Sequence, residues 1–275
     1  MLSYQHDYHA GNHADVLKHA VLALLISALQ RKPAALRVID SHAGSGAYDL
    51  EGPMPQRARE FETGAARILG AGDRPPSLAP YAGVLGKLNP GGVLRAYPGS
   101  PQIALEQLRE QDRLELFELH PQAAAALEKR FGRNRQVHIH RRDGFEGLVA
   151  VVPPRERRGI ALLDPSYERK NEFTRVAEVV GTCAKRWGNG VYAVWYPLIR
   201  HAGPARLVEG LGKLGLPRTF RVELEVAPGA EGLRGSGLVI ANLPYRVDAE
   251  LAELLPWLER RLGGGSGAWR AQWLG

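Results

Sequence analysis

At 275 residues, with 44% hydrophobic and 24% charged side chains, the chain can bury a full core, which excludes a disordered or fibrous protein. Its longest near-continuous apolar run, residues 20–29, falls short of a membrane span and lacks the layout of a secretory leader, so a cytoplasmic protein is expected. The single cysteine, Cys183, excludes an internal disulfide framework and a multi-cysteine zinc site, while a net charge of +7 points to a polyanionic partner.

In chain order, a loop holding His6, His9 and His13 leads into a helix predicted over residues 14–30, with Leu17, Val21, Leu24 and Ala28 as its buried stripe. Lys18 and His19 lie off that stripe, free to line a pocket. With Tyr4 and Tyr8 they form a basic and aromatic mix suited to stacking and phosphate contact. The four histidines at 6, 9, 13 and 19 invite a metal reading, but no cysteine lies nearby and no acid stands in an evident ligand role, so no metal is expected. A short strand, 36–40, then runs into the loop Ser41-His42-Ala43-Gly44-Ser45-Gly46. Residues 51–92 break the alternation that follows. They carry two helical patterns, 57–69 and 77–88, and read as a helical subdomain (51–92) inserted into a domain made of 1–50 and 93–275.

Beyond the insertion, strands and helices alternate: 114–119 then 121–130, 137–140 then 144–151, 160–163 then 172–187, and 191–196 then 205–214. This pattern predicts a parallel sheet with helices on both faces. Residues 219–227 and 238–242, joined by a Gly/Arg-rich segment too short for a helix, predict a closing antiparallel hairpin. The fold expected is therefore α/β, the seven-stranded Rossmann-like plan of the class I methyltransferases. Arginine clusters at Arg130, Arg133 and Arg135, at Arg141 and Arg142, and at Arg155, Arg157 and Arg158 are expected near the strand ends that carry the site.

Asp164-Pro165-Ser166-Tyr167 ends the apolar run 159–163 and combines an acid, a rigid carbonyl and an aromatic ring. That set suits methylation of a nucleobase amino group, whose lone pair is delocalised into the ring. Asp164 and the Pro165 carbonyl accept one amino proton each, and Tyr167 stacks on a base swung out of its helix. An Asp-Pro pair after a strand is also an ordinary turn, and the loop 40–46, an acid followed by Gly44 and Gly46, is equally readable as one. Both gain weight because Glu118 and Asp143, the latter before Gly144, also follow successive strands, where parallel strand ends converge on one crevice. Glu118 is suited to accept the ribose hydroxyls of S-adenosyl-L-methionine, and Asp143 its adenine amino group. A second tetrapeptide, Asn242-Leu243-Pro244-Tyr245, has similar chemistry but ends an antiparallel strand, on the wrong side of the sheet.

The blocks Met1-Leu2-Ser3-Tyr4, His9 to His19, Asp40 to Gly46, Tyr97-Pro98-Gly99-Ser100-Pro101, Glu118-Leu119-His120-Pro121, Asp143-Gly144-Phe145 and Trp195-Tyr196-Pro197 closely resemble the bacterial 23S ribosomal RNA adenine-N6 methyltransferase J family. The resemblance implies S-adenosyl-L-methionine contacts at His19, His42, Ser100, Glu118, Asp143 and Gly144, Asp164 as catalytic acceptor, and Tyr4 near the RNA. One departure stands out, Ser166 where the family pattern has a second proline. It leaves the accepting Pro165 carbonyl in place but relaxes the backbone. The expectation is a cytoplasmic, monomeric enzyme acting on 23S ribosomal RNA. A DNA adenine-N6 or cytosine-N4 methyltransferase and a non-catalytic RNA-binding protein remain the alternatives.

Overall fold

Residues 159–163 form an interior strand of an eight-stranded sheet in the computed structural model, which describes residues 6–169 and 171–274. The first half of the chain gives helix α1, His13–Gln30, strands β1, Arg37–Asp40, and β2, Ala47–Asp49, and helices α2, Pro53–Ala58, α3, Glu60–Thr63, α4, Ala65–Leu69, and α5, Ala79–Leu88. Strand β3, Ala96–Pro98, helix α6, Ser100–Gln107, strand β4, Arg113–Phe117, helix α7, Pro121–Phe131, and strand β5, Val137–His140, follow. The rest comprises helix α8, Gly144–Val151, β6, Gly159–Leu163, α9, Glu172–Arg186, β7, Val191–Leu198, α10, Gly203–Lys213, β8, Phe220–Glu225, β9, Gly235–Ala241, α11, Val247–Leu258, and β10, Ala268–Trp273.

The sheet order is β10-β8-β9-β7-β6-β1-β4-β5, with β5, β4, β1, β6 and β7 parallel and β9 antiparallel between β7 and β8. This is the expected plan with one correction: there are eight strands, not seven. The additional strand, β10, pairs antiparallel with β8 at the sheet edge. Its side chains are mostly exposed, so it carries no hydrophobic alternation; its backbone pairing and the Trp273 ring against Phe220, 4.8 Å apart, hold it.

One face of the sheet is covered by α1, α5, α6 and α11, the other by α8, α9 and α10. Helix α1 packs against α5 and α6 on one side and the sheet on the other, so it is buried on every face from Ala14 to Ile26, not along one stripe. Lys18 and His19 are therefore interior residues.

Two further expectations are corrected. The helix expected over 57–69 is three short ones, because Arg59 adopts a left-handed backbone (φ 52°) and Gly64 turns the chain again. Gly64 lies so close to the start of α1 that a Cβ there would come within 2.1 Å of Gly11 O, which seats the turn between α3 and α4 on the α1 N-terminus. Most of the arginine clusters also lie away from the site: Arg133 and Arg135 precede β5, and Arg155, Arg157 and Arg158 precede β6, so they mark amino ends of strands. Arg158 donates to Leu29 O and Ala34 O and so serves the fold. Among the described residues no helix is long and apolar enough to cross a membrane.

Candidate active site

Strand order reverses beside β1, whose two neighbours are β4 and β6, and ligands of open α/β sheets bind where the carboxyl ends part in this way. A cavity of about 910 Å³ opens there. It is lined by Lys18 and His19 from α1, His42 and Gly44 after β1, Ser100 at the start of α6, and Glu118 after β4. Asp143 and Gly144 after β5, and Asp164, Pro165 and Tyr167 after β6, complete it. Every site residue expected from sequence thus meets in one cavity except Tyr4, which lies outside the described residues.

In the β1–β4–β5 half, hydrogen bonds fix each acid. Glu118 accepts the Gly44 N–H at Oε2 (2.8 Å) and the His120 N–H at Oε1 (2.7 Å), leaving a further lone pair on each oxygen. Asp143 caps α8, its Oδ1 accepting Phe145 N–H and Glu146 N–H, and Arg175 donates to both its oxygens at 3.2 and 3.3 Å. Gly144 brings α8 against the loop after β1 so closely that a Cβ would fall 1.6 Å from Ser41 O.

The Ser41 hydroxyl donates to Leu162 O (2.9 Å), so toward His42 Nδ1, 2.8 Å away, it is the acceptor. His42 therefore carries its proton on Nδ1 and keeps the Nε2 lone pair. Burial lowers its pKa to about 4, so the ring is neutral at working pH. His19, buried against Tyr97 with Nδ1 2.7 Å from the phenol oxygen, is likewise driven well below its ordinary pKa, first by burial and then by Lys18.

Asp40, at the end of β1, carries the opposite perturbation. Burial raises its pKa from 3.8 to about 6 against the hydrogen bonds from Ser100 and the His42 N–H, and its Oδ2 has no hydrogen-bond partner. Above pH 6 the folded protein holds an ionised, half-satisfied carboxylate; below 3.8 the group is neutral in both folded and unfolded states. Its destabilising contribution is thus fully present at high pH and vanishes as pH falls through that window. Asp40→Asn is expected to raise stability by about 1–3 kcal/mol at about pH 8 and by much less near pH 4. Urea unfolding of the two proteins at both pH values checks this, and a gap that does not change with pH defeats it.

The β6 half holds the chemistry. Asp164 Oδ2 lies 2.6 Å from Lys18 Nζ, and Lys18 is 2.9 Å from Asp15 Oδ1 and 5.7 Å from the Trp195 ring centroid. Burial alone would lower the Lys18 pKa, but the two carboxylates hold it well above its ordinary value. Its ammonium is thus committed to Asp15 and Asp164, in place of the phosphate contact suggested by its sequence position. Tyr167 donates its hydroxyl to Trp195 O (2.5 Å), stacks on Phe173 at 4.3 Å, and sits at φ 55°. A left-handed backbone at a bulky residue is costly and persists where its surroundings impose it, commonly at functional sites.

Sequence reasoning missed Asp15, Arg175 and Trp195. The Asp15/Lys18 spacing of three on a helix was a signal for the first. The second tetrapeptide is remote: Ala241, before Asn242, pairs with Tyr192 near the amino end of β7, whereas Leu163, before Asp164, pairs with Val194. Asn242 donates to Gly188 O and Gly190 O, and Tyr245 is exposed. The N-terminal histidines bond to acids, His6 to Asp15 and His9 to Glu60, and no group of three or more metal-ligating side chains occurs among the described residues.

Residues 33–275 match the sequence profile of a family described as ribosomal RNA large subunit methyltransferase D, RlmJ. The chain is 39% identical over 277 residues to ribosomal RNA large subunit methyltransferase J of Escherichia coli, covering 100% of this chain and 99% of that one. It is equally 39% identical over 278 residues to the protein of that name from Haemophilus influenzae, again covering 100% and 99%. A crystal structure of a protein from Legionella pneumophila superimposes with a TM-score of 0.90 at 35% identity, over 96% of this chain and 98% of that one.

Proposed function

The chain belongs to this ribosomal RNA large subunit methyltransferase family, and on that premise we propose that it transfers a methyl group from S-adenosyl-L-methionine to the N6 amino group of one adenosine in 23S ribosomal RNA. The observation that carries the reading is Asp164, held on Oδ2 by a buried Lys18 in the cavity that Glu118, Asp143 and His42 also line.

The residues fit that cofactor. Asp40 Oδ2, directly before the cavity-lining Ser41 and His42, is a buried carboxylate oxygen without a hydrogen-bond partner, and its negative charge favours a cationic molecule in the adjoining cavity. Glu118, fixed by two backbone donors, has lone pairs for a ribose diol. Asp143 is suited to an adenine amino group, with Gly144 keeping α8 close. His19, His42, Gly44 and Ser100 complete the lining, the two imidazoles neutral and so adding no charge against a cation. When bound, S-adenosyl-L-methionine supplies an electrophilic methyl group on a sulfonium.

The remaining work falls to the chain. Asp164 Oδ1 and the Pro165 carbonyl accept the two protons of the target amino group, which biases the nitrogen toward tetrahedral geometry and frees its lone pair. Asp164 then takes the proton released as the nitrogen–carbon bond forms. Tyr167, braced by Phe173 and Trp195, offers an aromatic surface to a flipped base. Lys18 holds Asp164 by its Oδ2, and Tyr4 is assigned to the RNA on the family resemblance alone. Residues 51–92 act as a subdomain inserted into the catalytic domain (1–50 and 93–275), contributing Met54, Glu60 and Thr63 to the cavity. The proposed enzyme acts as a monomer, and a ribosomal substrate implies the cytoplasm.

Incubation with tritiated S-adenosyl-L-methionine and unmodified 23S RNA, followed by digestion to nucleosides, is expected to put the label in N6-methyladenosine. Label in another nucleoside, or greater incorporation into DNA than RNA, overturns the proposal.

A further inference from the structure

Asp15 has no part in the reaction as described so far, yet it faces the cavity, is only 2% exposed, and is engaged on both oxygens. Oδ2 accepts the Gly11 N–H at 2.9 Å and lies 2.9 Å from His6 Nε2, while Oδ1 is 2.9 Å from Lys18 Nζ. Its position is fixed locally: Asn12 caps α1 by accepting the N–H groups of Ala14 and Asp15, which puts Asp15 in the first turn with its side chain folded back over Gly11. One ammonium therefore lies between two carboxylates. Of the two oxygens of Asp164, Oδ2 is engaged by Lys18, and Oδ1 makes no hydrogen bond among the described residues.

We infer that Asp15 is a positioning residue for methyl transfer: it holds the Lys18 ammonium at Asp164 Oδ2, leaving Oδ1 as the acceptor for the amino group, and it shares the Lys18 charge so that Asp164 remains a strong acceptor. The inference rests on the methyltransferase reading above. Both partners are held in their charged forms. Burial would raise the Asp15 pKa, but His6 and Lys18 hold it well below the ordinary carboxylate range, and Lys18 is held correspondingly high. Without the Asp15 charge the Lys18 ammonium has one counterion instead of two. It then moves fully onto Asp164, engages the oxygen that must stay open, and weakens that carboxylate as a proton acceptor.

Asp15→Asn is expected to lower kcat by about 10²-fold, the scale of a displacement of about 1 Å at a reacting group, with KM for RNA and Kd for S-adenosyl-L-methionine unchanged. Asp15→Glu, which keeps the charge on a longer stem, is expected to recover part of that loss and keeps the test open should the asparagine variant misfold. In a Lys18→Met background the Asp15→Asn change is expected to cost nothing further in kcat, and urea unfolding of the same four proteins is expected to show 15 and 18 coupled in stability. An unchanged kcat in Asp15→Asn overturns the inference. So does an equal loss with and without Lys18, because Asp15 then acts through the fold alone. A wild-type protein that transfers no methyl group to any RNA overturns the activity itself, a distinct result, because the stability coupling is measured without cofactor or substrate.

Discussion

Asp164→Ala protein is expected to bind RNA as the wild type does and to transfer methyl groups about 10³-fold more slowly, the scale of losing a positioned proton acceptor. The carboxylate is the group at the end of β6 that takes charge and proton from the amino nitrogen, and the neighbouring Pro165 carbonyl accepts a hydrogen bond but takes up no proton. The variant should still fold, because Asp15 remains as a counterion for Lys18 and Asp164 is partly exposed, so its removal leaves no unpaired buried cation. Single-turnover transfer from labelled cofactor gives the rate, and a filter-binding titration with RNA gives the affinity. A rate near wild type would remove Asp164 from the reaction and leave the cavity without an evident acceptor.

Gly144→Ala should be the most damaging single-atom change in the cofactor half of the cavity. The added Cβ would lie 1.6 Å from Ser41 O and 2.6 Å from Ser41 C, both backbone atoms that cannot rotate away. Relief requires α8 to separate from the loop after β1. That movement also displaces Asp143, whose Oδ1 caps α8, and His42, whose Nδ1 is tied to the Ser41 hydroxyl. Overpacking against rigid backbone costs about 3 kcal/mol or more. For a chain of this size that corresponds to a melting temperature lower by roughly 6–12 °C. Calorimetric titration should show S-adenosyl-L-methionine binding weakened by about tenfold or more, since 1.4 kcal/mol of lost positioning is already tenfold. Scanning calorimetry and the titration together check this. Wild-type values in both would mean that α8 approaches Ser41 less closely than described.

Much of this site could be read from the chain because its acids obey a positional rule. Glu118, Asp143 and Asp164 each follow a parallel strand, and parallel strands bring such residues to one edge whatever the loops between them do. The strand direction that separates Asp164 from the similar tetrapeptide at 242–245 was legible for the same reason. The environment of α1 was not. A periodic stripe of Leu17, Val21, Leu24 and Ala28 implies one packed face, and nothing local indicates that α5 and α6 will cover the other. Lys18 therefore read as a pocket-lining residue suited to phosphate contact, and its pairing with Asp15 went unread. The break of the 57–69 helix depends on a left-handed Arg59, which side-chain patterning does not signal. Strand β10 is held by backbone pairing, by Phe220 and Arg218 against the Trp273 ring and by an Arg270–Glu223 ion pair, with no apolar alternation to announce it.

The burial of α1 on every side has a consequence for how activity and integrity are tied. Lys18 and His19 sit on a segment covered on every side but the cavity, so their amide protons are expected to be among the slowest to exchange. The Lys18 ammonium that orients the proton acceptor is thus carried by one of the best-covered helices of the fold, so its position tracks the integrity of the core more than the state of any surface loop.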